Sequence, residues 1–309
     1  MKNKIVIALG GNALGDTNQE QIEAVNAATG HITDLIKAGN DVVVVHGNGP
    51  QVGKIQLAFS AGSTVDKNLE IMPLSEGIAM SQGYIGYHLQ NSLVNHFRKE
   101  SIDKNVATIL TQALVSKEDE SFAAPSKPIG PFYSLEEIKE MGYANYVEDS
   151  GRGYRQVVAS PLPISLLEAD MIKQSIDAGN VIICAGGGGI PVIDEDNTYK
   201  PVPAVIDKDA ASSLLAQQID ADMLIILTAV NKVALNYGTP EEEWLSEITL
   251  DQLDEYIAQD HFAPGSMLPK VLAAKNFVAN NPKGKAIITS LEQAKAAIEG
   301  NEGTVIVFD

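Results

Sequence analysis

Apolar residues in this chain gather in short unbroken runs: Ile5–Leu9, Val42–Val45, Val181–Ala185, Leu224–Leu227 and Val305–Phe308. A strand with one wet face alternates apolar with polar residues. An unbroken run suits a strand covered on both faces, as in a parallel sheet. Helical patterns lie between the runs. Ile22, Val25, Thr29, Ile32 and Ile36 step by three and four, and Gly39 is placed to end that helix. Capping-box pairs mark helix starts at Thr17/Glu20, Ser134/Glu137, Thr249/Gln252 and Ser290/Gln293. Strand and helix alternate, which predicts an α/β fold with helices on both sheet faces.

Residues from about Ser116 to Pro163 break this rhythm. They are rich in Pro, Gly and charge and hold no long apolar run. A structureless loop of that length is rare inside a compact domain. The expectation is a small protruding subdomain (116–163) belonging to an N-terminal lobe (1–164), followed by a C-terminal lobe (165–309).

Composition narrows the chemistry. The formal net charge of −18 makes nucleic acid and anionic membrane poor partners. An anionic substrate must therefore meet a local cluster of cations and backbone N–H groups. The single cysteine, Cys184, allows no internal disulfide and no thiolate zinc cage. The apolar run after the N-terminal Met-Lys-Asn-Lys is too short for a signal peptide, and no stretch of ~20 apolar residues occurs. A cytoplasmic protein is expected.

Three apolar runs end directly in glycine-rich turns: Gly10-Gly11-Asn12, His46-Gly47-Asn48-Gly49 with Gly53 beyond, and Gly186–Gly189. Ligands bind beyond the C-terminal ends of parallel strands. Glycine there permits positive φ and close approach of backbone N–H groups, so a turn leading into a helix makes an anion site. Glycines that merely make tight turns are the plainer account of any one loop. Three such loops at one sheet edge favour anion binding. The dinucleotide fingerprint fails because Asn12 holds its middle glycine position, and the P-loop fails at Asn48 and Ile55.

Helices are expected to start near Asp207 and near Pro269, which puts Lys208 and Lys270 in first turns. A cation there opposes the helix dipole, a cost of a few tenths to ~1 kcal/mol that a bound anion reverses. Pairing with the flanking aspartates is the simpler account of Lys208 alone. Lys127 sits in the stiff turn Lys127-Pro128-Ile129-Gly130-Pro131-Phe132-Tyr133 and, by itself, reads as a surface lysine. His31, His46, His88, His96 and His261 have no zinc-ligand spacing, and no Gly-x-Ser-x-Gly elbow occurs.

Taken together, these motifs resemble carbamate kinases, members of the amino acid kinase superfamily. The resemblance rests on Gly10–Leu14, His46–Gly53, Ala79-Met80-Ser81-Gln82-Gly83, Lys127–Tyr133 and Gly151-Arg152-Gly153-Tyr154-Arg155. It continues through Gly186–Val192, Ala204–Asp209, Ile226–Val230 and Phe262–Lys270, in the family's order and over essentially the whole chain. The Lys127–Tyr133 turn is characteristic of carbamate kinases within the superfamily. Asn231, Leu268, Glu76-Gly77-Ile78 and Ala159 depart from the usual pattern.

The resemblance implies a three-layer αβα sandwich with a mainly parallel open sheet, assembled as a homodimer. It implies reversible phosphoryl transfer between carbamoyl phosphate and ADP, giving ATP and carbamate, with Mg²⁺ as cofactor and no protein side chain expected as metal ligand. Gly10, Gly11, Asn12, Asn48 and Gly49 would line the carbamoyl phosphate side. Lys127 would reach in from the protruding segment. Lys208 and Lys270 would hold the transferring phosphoryl group and the nucleotide phosphates, with Asp209 orienting them. Thr228, Ala229, Val230, Ala263, Gly265 and Met267 would hold the nucleotide. A sibling kinase for another small carboxylate would keep the nucleotide lobe but not the Lys127 turn. A non-catalytic ligand-binding module would not need both clamp lysines and Asp209.

Overall fold

A computed structural model describes residues 2–10, 17–141, 145–148, 151 and 153–309. Gly11, Asn12 and Arg152 lie outside the described residues. The central sheet has eight strands. From one edge they are Glu247–Thr249, Thr304–Val307, Lys285–Thr289, Met223–Leu227, Lys4–Leu9, Asp41–His46, Val181–Cys184 and Val106–Thr108. The last six in that order run parallel; Thr304–Val307 is antiparallel to Lys285–Thr289 and carries Glu247–Thr249 parallel to itself. All five apolar runs are strands of this sheet.

The unbroken runs have a direct structural meaning. Val6, Ala8, Val43, Val45, Ile182, Cys184, Leu224 and Ile226 face one core; Ile5, Ile7, Leu9, Val42, Val44, Val181, Ile183 and Ile225 face the other. Side chains alternate across a strand, so a strand buried on both faces must be apolar at every position. The first core is closed by helices Ala169–Asp177, Lys208–Gln218, Leu250–Ala258 and Met267–Asn280, through residues such as Ile172, Leu215, Leu253 and Phe277. The second is closed by Asn18–Lys37, Leu74–Glu100 and Ala294–Ile298, through Ile32, Leu89, Leu93 and Ala297. This is the three-layer αβα arrangement. Each buried Val, Ile or Leu contributes roughly 1.5–3 kcal/mol of apolar transfer.

Local signals mostly hold. Thr17/Glu20 and Thr249/Gln252 form reciprocal capping boxes, and so do Ser134 and Glu137. Gly39, at φ +96°, follows the end of the first helix. Two expectations need correction. Ile22 is 45% exposed, because the buried face of its helix runs through Val25, Ala28, Ile32 and Leu35 while Ala24 and Ala27 border a cleft. Ser290 caps nothing: its helix begins at Ala294 with Gln293 in the N-cap place, and among the described residues its buried hydroxyl has no partner. The helix expected near Pro269 is present and starts at Met267, so the proline occupies the first turn, where no backbone N–H bond is lost.

The first and second halves of the chain interleave, since Val181–Cys184 lies between Asp41–His46 and Val106–Thr108. Residues 127–158 build a separate antiparallel sheet in the order Lys127–Tyr133, Tyr154–Val158, Tyr146–Glu148, with a helix at Leu135–Met141. Lys4–Leu9 has Asp41–His46 on one side and Met223–Leu227 on the other. The strand order therefore reverses at Lys4–Leu9, and such a switch point opens a crevice at the C-terminal strand ends.

Candidate active site

That crevice is a cleft of about 870 Å³. Leu9 and Gly10, Gly47 to Gly49, Leu227 to Ala229 and Ser290 to Glu292 line it, each set following one of the parallel strands. The rest of the lining comes from Lys127 to Ile129, Val205 to Asp209, Gly265, Ser266, Pro269 and Lys270.

Three lysines from distant parts of the chain meet on two aspartates. Lys127 Nζ donates to Asp207 Oδ2 at 2.8 Å. Lys208 Nζ donates to Asp209 Oδ1, and Lys270 Nζ donates to Asp209 Oδ2 at 3.2 Å. The Asp209 side chain is only 4% exposed. A buried carboxylate is costly unless paired, and here two ammonium groups share it. Asp207 does two jobs. Its Oδ1 accepts from the backbone N–H of Asp209 and Ala210 as the N-cap of helix Lys208–Gln218, and its Oδ2 takes Lys127. Burial pushes the Asp207 carboxyl up, but Lys127, Lys208 and the Asp209 N–H outweigh this and hold it below the ordinary carboxylate range. The aspartates thus already offset the first-turn cost of Lys208, and the anion-binding case rests on convergence of the lysines rather than on that cost.

On the facing side, Asn48 precedes helix Gly49–Val65 and makes no capping bond. Its Nδ2 donates instead to Ser81 Oγ at 2.8 Å, and Ser81 Oγ donates to the carbonyl of Ile78. The helix N-terminus is left with free N–H groups at the cleft, a favourable place for an anion. His46 is buried beneath this turn. Burial lowers its pKa to about 4, against a smaller opposite effect of the Gly47 carbonyl. Gln82 is fully engaged, donating to the carbonyls of Thr111 and Gly186 and accepting from the Thr111 N–H.

The run Gly186–Gly189 differs from its sequence reading. A Cβ on Gly187 would stand 2.1 Å from Asn48 Nδ2, and one on Gly186 2.5 Å from the His46 ring. The N–H groups of Gly188 and Gly189 bond to the carbonyls of Ala185 and Gly186. Gly186 and Gly187 let the turn pack against His46 and Asn48, and Gly188 and Gly189 let it pack against Ile206 and Ala113; of the four, only Gly187 reaches the cleft.

Of the residues expected to hold the nucleotide, Thr228, Ala229, Gly265, Lys208 and Lys270 line the cleft. Val230 lines an adjoining hollow of about 390 Å³ with Asn231, Lys232 and Trp244. Ala263 and Met267 line neither. The Ala263 carbonyl closes its turn by accepting from Ser266 and Leu268, and Met267 packs on the core. Sequence reasoning did not place Asp207 or Ser290 in the site. For Asp207 the signal existed: an aspartate immediately before a helix start caps it and must face the same way as the first turn. For Ser290 the capping-box pattern pointed elsewhere. Among the described residues, no three His, Cys, Asp or Glu side chains group as metal ligands, and no helix is long and apolar enough to cross a membrane.

A parallel-sheet switch point lined by lysines and helix N-termini defines a phosphate-handling enzyme. The sequence profile of the amino acid kinase family matches residues 3–290, and the chain belongs to that family. Within it, the carbamate kinase-like protein YqeA of Escherichia coli is 50% identical over 99% of both chains. The carbamate kinase of Staphylococcus haemolyticus is also 50% identical, over 98% of this chain and 99% of its own. A structure of carbamate kinase from Giardia lamblia bound to AMP-PNP superposes with a TM-score of 0.92 at 42% identity, covering 100% of this chain and 99% of that one.

Proposed function

We propose that this chain is a carbamate kinase, exchanging a phosphoryl group between carbamoyl phosphate and ADP. The observation that carries this reading is the convergence of Lys127, Lys208 and Lys270 on Asp207 and Asp209 across the cleft from the Asn48–Gly49 helix start. Full-length relatives that bear the name support it.

In the ATP-forming direction, a terminal phosphate oxygen of ADP attacks the phosphorus of carbamoyl phosphate. The bond from phosphorus to the carbamate oxygen breaks, and carbamate leaves as an anion that then decomposes to ammonia and carbon dioxide. The attacking oxygen is already ionised near neutral pH, so no side-chain nucleophile or base is required. The transition state is loose, and its charge spreads over the oxygens of the moving group. Lys208 and Lys270 neutralise that charge, and Asp209 keeps their ammonium groups fixed so that little reorganisation is needed. Gly10, Gly11, Asn12, Asn48 and Gly49 hold carbamoyl phosphate, with Lys127 closing on it from residues 116–163. Thr228, Ala229, Val230 and Gly265 hold the nucleotide.

Mg²⁺ fits as an ion carried by the nucleotide. Both aspartates facing the lysines are engaged by them, so phosphate oxygens and water would be its ligands, and when bound it neutralises phosphate charge. We assign the catabolic, ATP-generating direction and a cytoplasmic location. The partner we assign is a second copy of the chain, as the resemblance to carbamate kinases implies.

The test is ATP formation from ADP, Mg²⁺ and carbamoyl phosphate, with acetyl phosphate as parallel donor. Rapid ATP from carbamoyl phosphate alone is expected. No ATP from it, in a folded protein that binds nucleotide, would overturn the assignment in favour of a kinase for another small carboxylate.

A further inference from the structure

Gly53 lies one turn into helix Gly49–Val65 and is buried. A Cβ built on it would stand 2.8 Å from Gly130 Cα and 3.2 Å from Gly130 N. Both are backbone atoms, so no flexible side chain can yield. We propose that Gly53 is a positioning residue for the phosphoryl transfer assigned above: its missing side chain seats strand Lys127–Tyr133 backbone-on-backbone against the helix, and this seat sets the reach of Lys127 over the cleft.

Three observations converge on it. Gly130 takes φ +71°, and the pairing of its strand with Tyr154–Val158 shifts register between Ile129 and Tyr133. That irregularity bends the strand at the point of contact. Second, the Gly130 carbonyl accepts from Arg155 Nε at 3.1 Å, which fixes the peptide from its far side. Third, a small separate core lies beside the contact: Val52 from the helix, Ile129 and Val158 from the strands, Ile78, and Val205. Val205 stands two residues before Asp207, the aspartate that Lys127 meets at 2.8 Å. One cluster therefore ties the seat, the Lys127 strand and the Lys208 helix together. Lys127 is three residues along the strand from Gly130, about 10 Å of extended chain. A methyl at Gly53 needs about 1 Å more separation to reach ordinary carbon contact. A displacement of that size is enough to cost up to ~100-fold in rate when it moves a reacting-centre group.

The experiment is a double-mutant cycle of Gly53→Ala with Lys127→Ala, read by steady-state ATP formation with folding checked by circular dichroism. Gly53→Ala should lower kcat about tenfold or more and leave the KM for ADP within twofold. Lys127→Ala should then cost far less in the Gly53→Ala background than in the parent. A kcat within twofold of the parent, or fully additive losses, would overturn the proposal. Should Gly53→Ala not fold, Gly130→Ala takes its place in the same cycle. A Cβ there meets open space, so only the strained φ disturbs the seat. Amide hydrogen exchange across residues 127–133 reads the seat without turnover. A parent that makes no ATP counts against the carbamate kinase reading, whereas unchanged exchange in the variant counts against the seat.

Discussion

Asp209 and Lys270 lie 61 residues apart in sequence and meet at 3.2 Å, the lysine sharing with Lys208 a carboxylate that is almost wholly buried. Lys208 is held by its neighbour on the same helix, whereas Lys270 is held from another helix. Each points into the cleft because one anionic group, fixed in the first turn of helix Lys208–Gln218, takes both.

This shared anchor makes the two lysines one unit. Lys208→Ala and Lys270→Ala should each lower kcat at least ~100-fold, as expected for groups that act on transition-state charge. The double variant should lose much less than the product of the two, because residues in one network are not additive. Asp209→Asn should lower kcat by tenfold or more with the fold retained. Turnover near the parental value in either lysine variant would remove that lysine from the proposed chemistry.

His46 should make stability pH-dependent. Its folded pKa of about 4 lies below the ordinary 6.5, so the unfolded chain binds more protons between these values. Its contribution is intact above about pH 6.5 and is lost as pH falls, with a slope approaching ~1.4 kcal/mol per pH unit and a total of roughly 3 kcal/mol near pH 4. Urea unfolding at pH 7.5, 6 and 5 should show this decline. In a His46→Asn variant the decline should be correspondingly shallower.

Ser290 is 5% exposed and presents at the cleft wall a buried hydroxyl with no partner among the described residues. A buried unpaired hydroxyl costs about 1–3 kcal/mol. Ser290→Ala should therefore leave Tm unchanged or raise it, while raising the KM for ADP or carbamoyl phosphate at least threefold if the hydroxyl waits for a ligand. A clear fall in Tm would show that the hydroxyl serves the fold.

Cys184 should be inert in the native protein. It sits in the central sheet at 1% exposure, and burial, aided by the charge of Glu168, pushes its thiol far above the ordinary range. A thiol reagent such as 5,5′-dithiobis(2-nitrobenzoate) should report no reactive thiol in the folded chain and one per chain in denaturant. Activity should survive the treatment.

The layers of the fold were legible because burial on both faces leaves a strand no polar position, and that demand is written into runs such as Val42–Val45. The helix starts at Thr17 and Thr249 were legible because capping is local chemistry within four residues. Ser290/Gln293 carries the same pattern and does not cap. Its serine follows directly on a sheet strand and faces the cleft, and tertiary placement outweighs a bond contributing about 1 kcal/mol.

The sequence alone determined the alternation of strand and helix, the glycine turns at the strand ends, and the residue types available to bind phosphate. It could not determine which glycines bind and which merely pack. Gly186 to Gly189 look like an anion loop, yet Gly186 and Gly187 let His46 and Asn48 approach, and Gly188 and Gly189 let Ile206 and Ala113 approach. It also could not say that Lys127, Lys208 and Lys270 meet. Their convergence depends on the order of strands in the sheet and on the seat of residues 127–133 against Gly53. Both are set by long-range packing, which no local pattern encodes.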